Sequence, residues 1–595
     1  LWKVLKMSDK LPNILWYCTD QQRYDTINSL GNKHINTPNI NKFIENGFAF
    51  TNAYVQSPIC TPSRASFLTG RYPASTHAHR NGAEYFPDHE VLVTKILKDA
   101  GYDCGLIGKL HLSSAEGGVE KRTDDGYDTF YYSHDSTPKL NPESDDYKKW
   151  IVEEKKQDLK KLIEPVNNFC CDGVPEEFHQ TTWCTEMAIK FINKKRKGPW
   201  MLSINPFDPH PPFDPPKEYR NRYNPDDLPG PLFELKDIER QKKFKEVCQQ
   251  AVDAINPEGN NPPPPQEGGY ANPGNWPPES FNGKIVKAHY YAMIELLDKH
   301  FGRLVNYLEE TNQLENTLII FHSDHGEMLG QHGIRGKIAA WEESVRVPTL
   351  IYHPDLKKQQ TCESIVSNID FVPTMLEFAG LGQSQIQAKY PELKGKSFAP
   401  ITENVDYKNY RDDEGHLVQG SPIIGAAFEV NEKVRHIGLA DNYFDKFKAF
   451  ASKGNFLPDF SPPFNYKAIV TKKYKFVRGF SPRENNTPTN LQELFSNNPD
   501  KYNHLLEFIN HSWYVQDVSF KDLSNLKDFR TIHFKGVGAN LFDDGQNFLI
   551  ENFNPLLYEI KIQDKYPTIY KLGETGRIIV FYSREYFIEK HKETK

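Results

Sequence analysis

The sequence predicts an α/β fold: a large, mostly parallel doubly wound sheet flanked by helices, followed by a smaller strand-rich C-terminal domain. Three observations carry this. Several short apolar runs have the character of buried parallel strands, and each ends in a cluster of polar residues. Segments with apolar residues at helical spacing separate these runs, and such alternation builds a doubly wound sheet. Beyond about residue 400 the texture changes to successive strand-like runs.

In chain order, the first run is Pro12 to Thr19, which passes into Asp20-Gln21-Gln22-Arg23. Asp103 to Gly108 passes into Lys109-Leu110-His111, and Trp200 to Asn205 into Pro206-Phe207-Asp208-Pro209-His210. Thr317 to His322 passes into Ser323-Asp324-His325-Gly326-Glu327. Between them, Val91 to Ala100, Thr182 to Lys195 and Ile285 to Asn312 read as helices. Open α/β sheets bind ligands beyond the carboxyl ends of their strands, so these polar clusters are placed for chemistry. The basic run Lys194-Lys195-Arg196-Lys197 precedes Gly198-Pro199 and suits a helix C-terminus. Asn256 to Ser280, with Pro262 to Pro265, reads as an irregular insertion that either borders the cleft or loops over the surface.

The 595 residues can bury a large core, and two domains are expected, over residues 11–400 and 401–595. A net charge of -7 argues against a nucleic-acid partner. No apolar run has membrane-spanning length. The eight cysteines are irregularly placed and do not form a disulfide framework. Leu1 to Lys10 lack the apolar core of a signal peptide, which reads as a cytoplasmic protein or one whose signal has been removed. Asn485-Asn486-Thr487 and Asn510-His511-Ser512 fit the glycosylation sequon.

The stretch Ser57-Pro58-Ile59-Cys60-Thr61-Pro62-Ser63-Arg64 looks like a reactive residue mounted on a helix start. Thr61 is expected as the N-cap, with Pro62 at the first helical position and Gly70 closing the helix in a left-handed conformation. Cys60 would then face orphan N–H groups and the positive end of a helix dipole, with Arg64 one turn in as a fixed cation. A buried structural cysteine is the competing reading. Only three residues separate Cys60 from Arg64, which disfavours a phosphatase-type cysteine nucleophile.

Cys60-Thr61-Pro62-Ser63-Arg64-Ala65-Ser66-Phe67-Leu68-Thr69-Gly70-Arg71 closely resembles the signature of the formylglycine-dependent type I sulfatases, in the alkaline-phosphatase-like superfamily. The order of the strand-end motifs is also similar. The resemblance implies that a separate maturating enzyme, such as a formylglycine-generating enzyme, oxidises Cys60 to 3-oxoalanine, whose hydrated form attacks sulfur and later eliminates sulfate. It implies a divalent cation held by Asp20, Gln21, Asp324 and His325, with residue 60 completing the shell. Calcium suits this oxygen-rich set, and manganese is the alternative because His325 adds a nitrogen. By the same resemblance Arg64 and Lys109 hold the hydrated aldehyde, His111 hydrogen-bonds it, and His210 and Lys337 contact the sulfate and the leaving oxygen. Asn81 adds a sulfate contact. Asp370 to Gly380 resembles the helix that closes the family's N-terminal domain. Lys467 to Thr471 and Tyr474 to Arg478 match its smaller C-terminal antiparallel sheet. Arg577 to Tyr582 reads as a further strand.

Many sulfatases have aspartate where this chain has Gln21, which lowers the ligand charge by one. Glutamine occurs there in choline-sulfatase-like and phosphonate-monoester-hydrolase-like members. The resemblance therefore implies a sulfuric ester hydrolase acting on a small sulfated substrate. Asn205 to Pro216 looks like the matching segment of carbohydrate-active sulfatases and points to a sulfated oligosaccharide. A phosphonate monoester or phosphodiester hydrolase using the same site is the alternative, and a non-catalytic metal- or sugar-binding relative is the alternative from another class.

Overall fold

A computed structural model describes most of residues 10–403, apart from stretches within 74–89, 114–119, 137–143, 159–171, 240–280, 338–340 and 357–360. Beyond 403 it describes the backbone of the strands at 416–420, 466–470, 475–479, 513–519, 558–563, 566–572 and 577–583.

The central sheet has eight strands in the order β4-β3-β5-β1-β6-β7-β2-β8. They span Asn13–Thr19 (β1), Phe48–Tyr54 (β2), Asp103–Gly108 (β3), Thr129–Tyr132 (β4), Trp200–Asn205 (β5), Thr317–Ser323 (β6), Thr349–Tyr352 (β7) and Thr361–Ser367 (β8). The run β4-β3-β5-β1-β6 is parallel throughout, as is the β2–β8 pair. Strand β7 runs antiparallel to both of its neighbours, so the predicted mostly parallel sheet carries one reversed strand.

Strand β1 shows why such apolar runs form the centre. Side chains alternate between faces along a strand, and both faces here are covered. Ile14, Trp16 and Cys18 enter one core with the helices α2 (Cys60–Thr69), α3 (Val93–Asp99) and α6 (Phe371–Phe378). Leu15 and Tyr17 enter the other with α1 (Pro38–Asn46), α4 (Gln180–Ile192) and α5 (Gly283–Glu310). The three long helical segments read from the sequence correspond to α3, α4 and α5. Arg196 closes α4 by donating to the carbonyls of Phe191 at 2.6 Å and Ile192 at 3.4 Å, the C-terminal role expected of the basic run.

This order sets the carboxyl ends of β3, β5, β1 and β6 side by side on one edge. At the end of β3, Gly108 has φ +98, and a Cβ there would lie 2.0 Å from the Asn205 carbonyl oxygen. Only glycine lets the chain turn against β5 and enter Lys109.

Helix α2 begins at Cys60 rather than after Thr61. Its N-cap is Ile59, in extended conformation, and no side chain caps it. Thr61 therefore lies inside the first turn and does not cap it, and its N–H donates to Asn81 Oδ1 at 2.9 Å. Gly70 ends the helix with φ 66 and ψ 23, as expected.

The expected C-terminal strands form two antiparallel sheets. One has the order β11-β10-β9, from Lys475–Gly479, Tyr466–Val470 and His416–Gly420. The other has the order β12-β15-β14-β13, from Trp513–Ser519, Arg577–Ser583, Tyr566–Leu572 and Tyr558–Gln563. Most of the insertion after Asn256 and both sequons lie outside the described residues.

Phe301 is wholly buried on α5 and packs edge-on against Tyr17, Phe43 and Phe321. Phe301→Ala is expected to cost about 3–5 kcal/mol in denaturant titrations, through lost burial and an unfilled cavity. His322 lies among Trp16, Phe67 and Phe371, and burial lowers its pKa to about 3. The unfolded chain therefore binds this proton more readily, and stability should fall as pH drops from about 6.5 towards 3. His322→Phe should flatten that limb of the stability–pH curve.

Candidate active site

Asp20 follows β1, Lys109 follows β3 and Asp324 follows β6. Arg64, one turn into α2, reaches all three. Its Nε donates to Asp324 Oδ2 at 3.0 Å, its Nη2 to Asp20 Oδ2 at 3.2 Å and its Nη1 to the Lys109 carbonyl at 3.0 Å. Lys109 Nζ joins Asp20 Oδ2 at 2.6 Å. Arg64, Lys109, Asp20 and Asp324 are all buried. A planar fork carrying several donors can satisfy partners on separate strands in a way that an ammonium cannot.

Burial alone would raise the pKa of Asp20, yet Lys109, His210 and Arg64 hold its carboxyl well below the usual carboxylate range. Asp324 Oδ1 accepts the backbone N–H of Gln21 and of His325, each at 2.9 Å. The turn after β1 is thereby tied to the turn after β6. Ser63 extends the join, donating its hydroxyl to the Asp324 carbonyl.

Cys60 lies at the middle of this arrangement. Its Sγ is 2.9 Å from Lys337 Nζ and 3.2 Å from His325 Nε2. Burial opposes ionisation of the thiol, but Lys337, Lys109 and His325 outweigh it and hold the thiol well below its ordinary pKa. Beside Cys60, burial together with Lys109 lowers the pKa of His111 to about 4, so its ring is neutral near pH 7.

The donor chemistry here fits a divalent cation. Asp20, Cys60, Asp324 and His325 each offer one ligand atom, and these atoms lie within 4.8 Å of one another in a buried cluster. Asp20 Oδ1 is buried without a hydrogen-bond partner among the described residues. His325 directs Nδ1 at the Gly326 carbonyl, 3.0 Å away, which assigns the proton to Nδ1 and leaves Nε2 as a lone-pair donor.

The remaining predicted residues are placed less uniformly. Gln21 has φ 73, and its side chain bridges outward: Oε1 accepts from Lys337 Nζ at 2.7 Å and Nε2 donates to Glu327. Its amide oxygen thus meets Lys337, whereas its backbone N–H serves Asp324. The rings of His210 and Phe207 have centroids 4.6 Å apart, and Lys109 Nζ lies over the Phe207 ring. Asn81 reaches Thr61 and therefore the start of α2.

Sequence reasoning gave no role to Glu327, Glu120 or His134. Glu327 carried a signal, because it directly follows the Asp324-His325-Gly326 motif. His134 has its ring edge-on to His111 with centroids 4.7 Å apart, and nothing in its local sequence marks it.

Residues 12–381 match the family model described as sulfatase. The chain is 31% identical over 386 residues to an arylsulfatase of Clostridium perfringens, covering 62% of this chain and 75% of that protein. It is 26% identical over 443 residues to an N-acetylglucosamine-6-O-sulfatase of Bacteroides thetaiotaomicron, covering 67% of this chain and 72% of the relative. The fold is similar to the phosphonate monoester hydrolase of Agrobacterium radiobacter, with TM-score 0.60 and 20% identity over 93% of this chain and 99% of that one.

Arg64→Ala would leave two buried carboxylates without their shared cation. The expected loss is about 3–5 kcal/mol in urea titrations at neutral pH, shrinking in acid as Asp20 takes up a proton.

Proposed function

The chain belongs to the sulfatase family and is a sulfuric ester hydrolase, and we propose that its substrate is a sulfated saccharide handled by the cluster around Cys60. The family implies a divalent cation and a formylglycine. The observation that supports this reading best is the convergence of Asp20, Cys60, Asp324 and His325, with Asp20 Oδ1 unpaired among the described residues. In this reading Asp20, Asp324 and His325 hold the cation, with Gln21 contributing from the same turn. Calcium is the first candidate and manganese the second. A maturating enzyme converts Cys60.

Hydrolysis of a sulfate ester must gather negative charge, activate an oxygen nucleophile and protonate a poor leaving group. Bound together, the cation and the converted residue supply charge neutralisation at the sulfate and the oxygen nucleophile. The chain's own residues do the rest. Arg64 and Lys109 keep Asp20 ionised, Arg64 also pairs with Asp324, and both face residue 60 with fixed positive charge. Lys337, 2.9 Å from Cys60 Sγ, is placed to bind the anionic group and to stabilise the leaving oxygen. His111 is neutral and can accept a proton from the group on residue 60. His210, at the end of β5, faces the same edge and meets the sulfate, with Asn81 as a further contact from beside α2.

The saccharide assignment rests on relatives such as the N-acetylglucosamine-6-O-sulfatase of Bacteroides thetaiotaomicron. Gln21 favours a second reading, hydrolysis of phosphonate monoesters at the same site. A panel of 4-nitrophenyl sulfate, a phosphonate monoester and defined sulfated saccharides separates the two. The expected order of kcat/KM puts a sulfated saccharide first; a phosphonate monoester in first place would overturn it. Chelation of divalent cations is expected to abolish turnover and lower the thermal midpoint, with both restored by Ca2+. Recovery with Mn2+ alone would reassign the ion.

A further inference from the structure

We infer that Glu120 is the positioning residue for His111: its buried carboxylate grips the backbone turn that presents the His111 ring to residue 60. The carboxylate accepts three consecutive N–H groups. Oε2 takes that of His111 at 3.0 Å, and Oε1 those of Leu112 at 2.9 Å and Ser113 at 2.8 Å. Consecutive N–H groups point the same way only when the backbone turns sharply, and His111 does so with φ 59. A non-glycine residue held in that region is strained, so the turn persists only where neighbouring contacts over-determine it. Glu120 provides such contacts and is itself only 7% exposed. Burial pushes its pKa up to about 7 against the pull of these N–H groups, and the bonds are strongest when the carboxylate is ionised.

The turn has a functional consequence because it sits between two site residues. Lys109, two residues earlier, is fixed by Asp20 and by Arg64 through its carbonyl. His111 must then leave the strand end in one direction to reach Cys60, and its ring is backed by His134 at 4.7 Å. Without the grip, the backbone can relax to negative φ and swing the ring away while Lys109 stays anchored. Glu120's bonds run to this turn and to none of the other site residues named above, so its effect must pass through His111.

The test is a double-mutant cycle on the matured protein with 4-nitrophenyl sulfate. Glutamine is close to glutamate in size but replaces one acceptor oxygen with a donor, so it cannot take all three N–H groups. Glu120→Gln is expected to lower kcat about 10- to 100-fold with KM within about twofold, whereas in a His111→Ala background it should change kcat by less than about twofold. Glu120→Asp, charged but one methylene shorter, is the milder second variant and should show an intermediate kcat with the same non-additivity. Equal fold losses in both backgrounds, or a raised KM at unchanged kcat, would overturn the assignment. It rests on the proposed role of His111, and the two failures are distinguishable. A His111→Ala protein that retains full kcat removes the role of His111, while a slow His111→Ala protein slowed equally again by Glu120→Gln removes only that of Glu120.

Discussion

One buried guanidinium holds the site together. Arg64 bridges Asp20 and Asp324, the residues that follow two adjacent parallel strands, and also grips the backbone of Lys109 after a third. Two carboxylates in a dry interior would repel one another and take up protons. With Arg64 between them and Lys109 alongside, Asp20 stays ionised and keeps Oδ1 free of any partner among the described residues. Like other buried ion networks, this one costs desolvation energy, and its value lies in fixed geometry.

The sheet supplies what the guanidinium requires. Parallel strands in the order β3-β5-β1-β6 bring Lys109, His210, Asp20 and Asp324 to one edge, although they are widely separated in sequence. Helix α2 packs against the same edge and delivers Cys60 and Arg64 a single turn apart. The spacing that disfavoured a phosphatase loop is therefore the spacing that lets Cys60 face the pocket while Arg64 turns back beneath it.

Much of this was legible in the sequence because each central strand announced itself twice, by an apolar run and by the polar cluster at its end. Cys60, Asp20, Asp324 and His325 could be grouped because their motifs resemble a known pattern, and Arg64 and Lys109 followed from it. What was not legible depends on local backbone geometry. Thr61 looked like a helix cap, but the helix starts two residues earlier than that cap requires, and Thr61 lies inside its first turn. The side-chain partners of Gln21 were not legible either: its amide oxygen meets Lys337 and its amide nitrogen meets Glu327. Glu120 and His134 act through a left-handed turn and a ring contact, neither of which leaves a periodic signal. Strands β2, β4, β7 and β8 were not read from the sequence, and with them the reversed direction of β7 was missed.

Positive charge from Lys337 and Lys109 is focused on a single side chain, and this is sensible only if that side chain becomes the reacting group. Mass spectrometry of the peptide containing residue 60, taken from active protein made in its native host, tests this most directly. The account predicts that Cys60 has exchanged its sulfur for an oxygen and lost two hydrogens, the composition of formylglycine. An unmodified thiol in protein that turns over sulfate esters would contradict it.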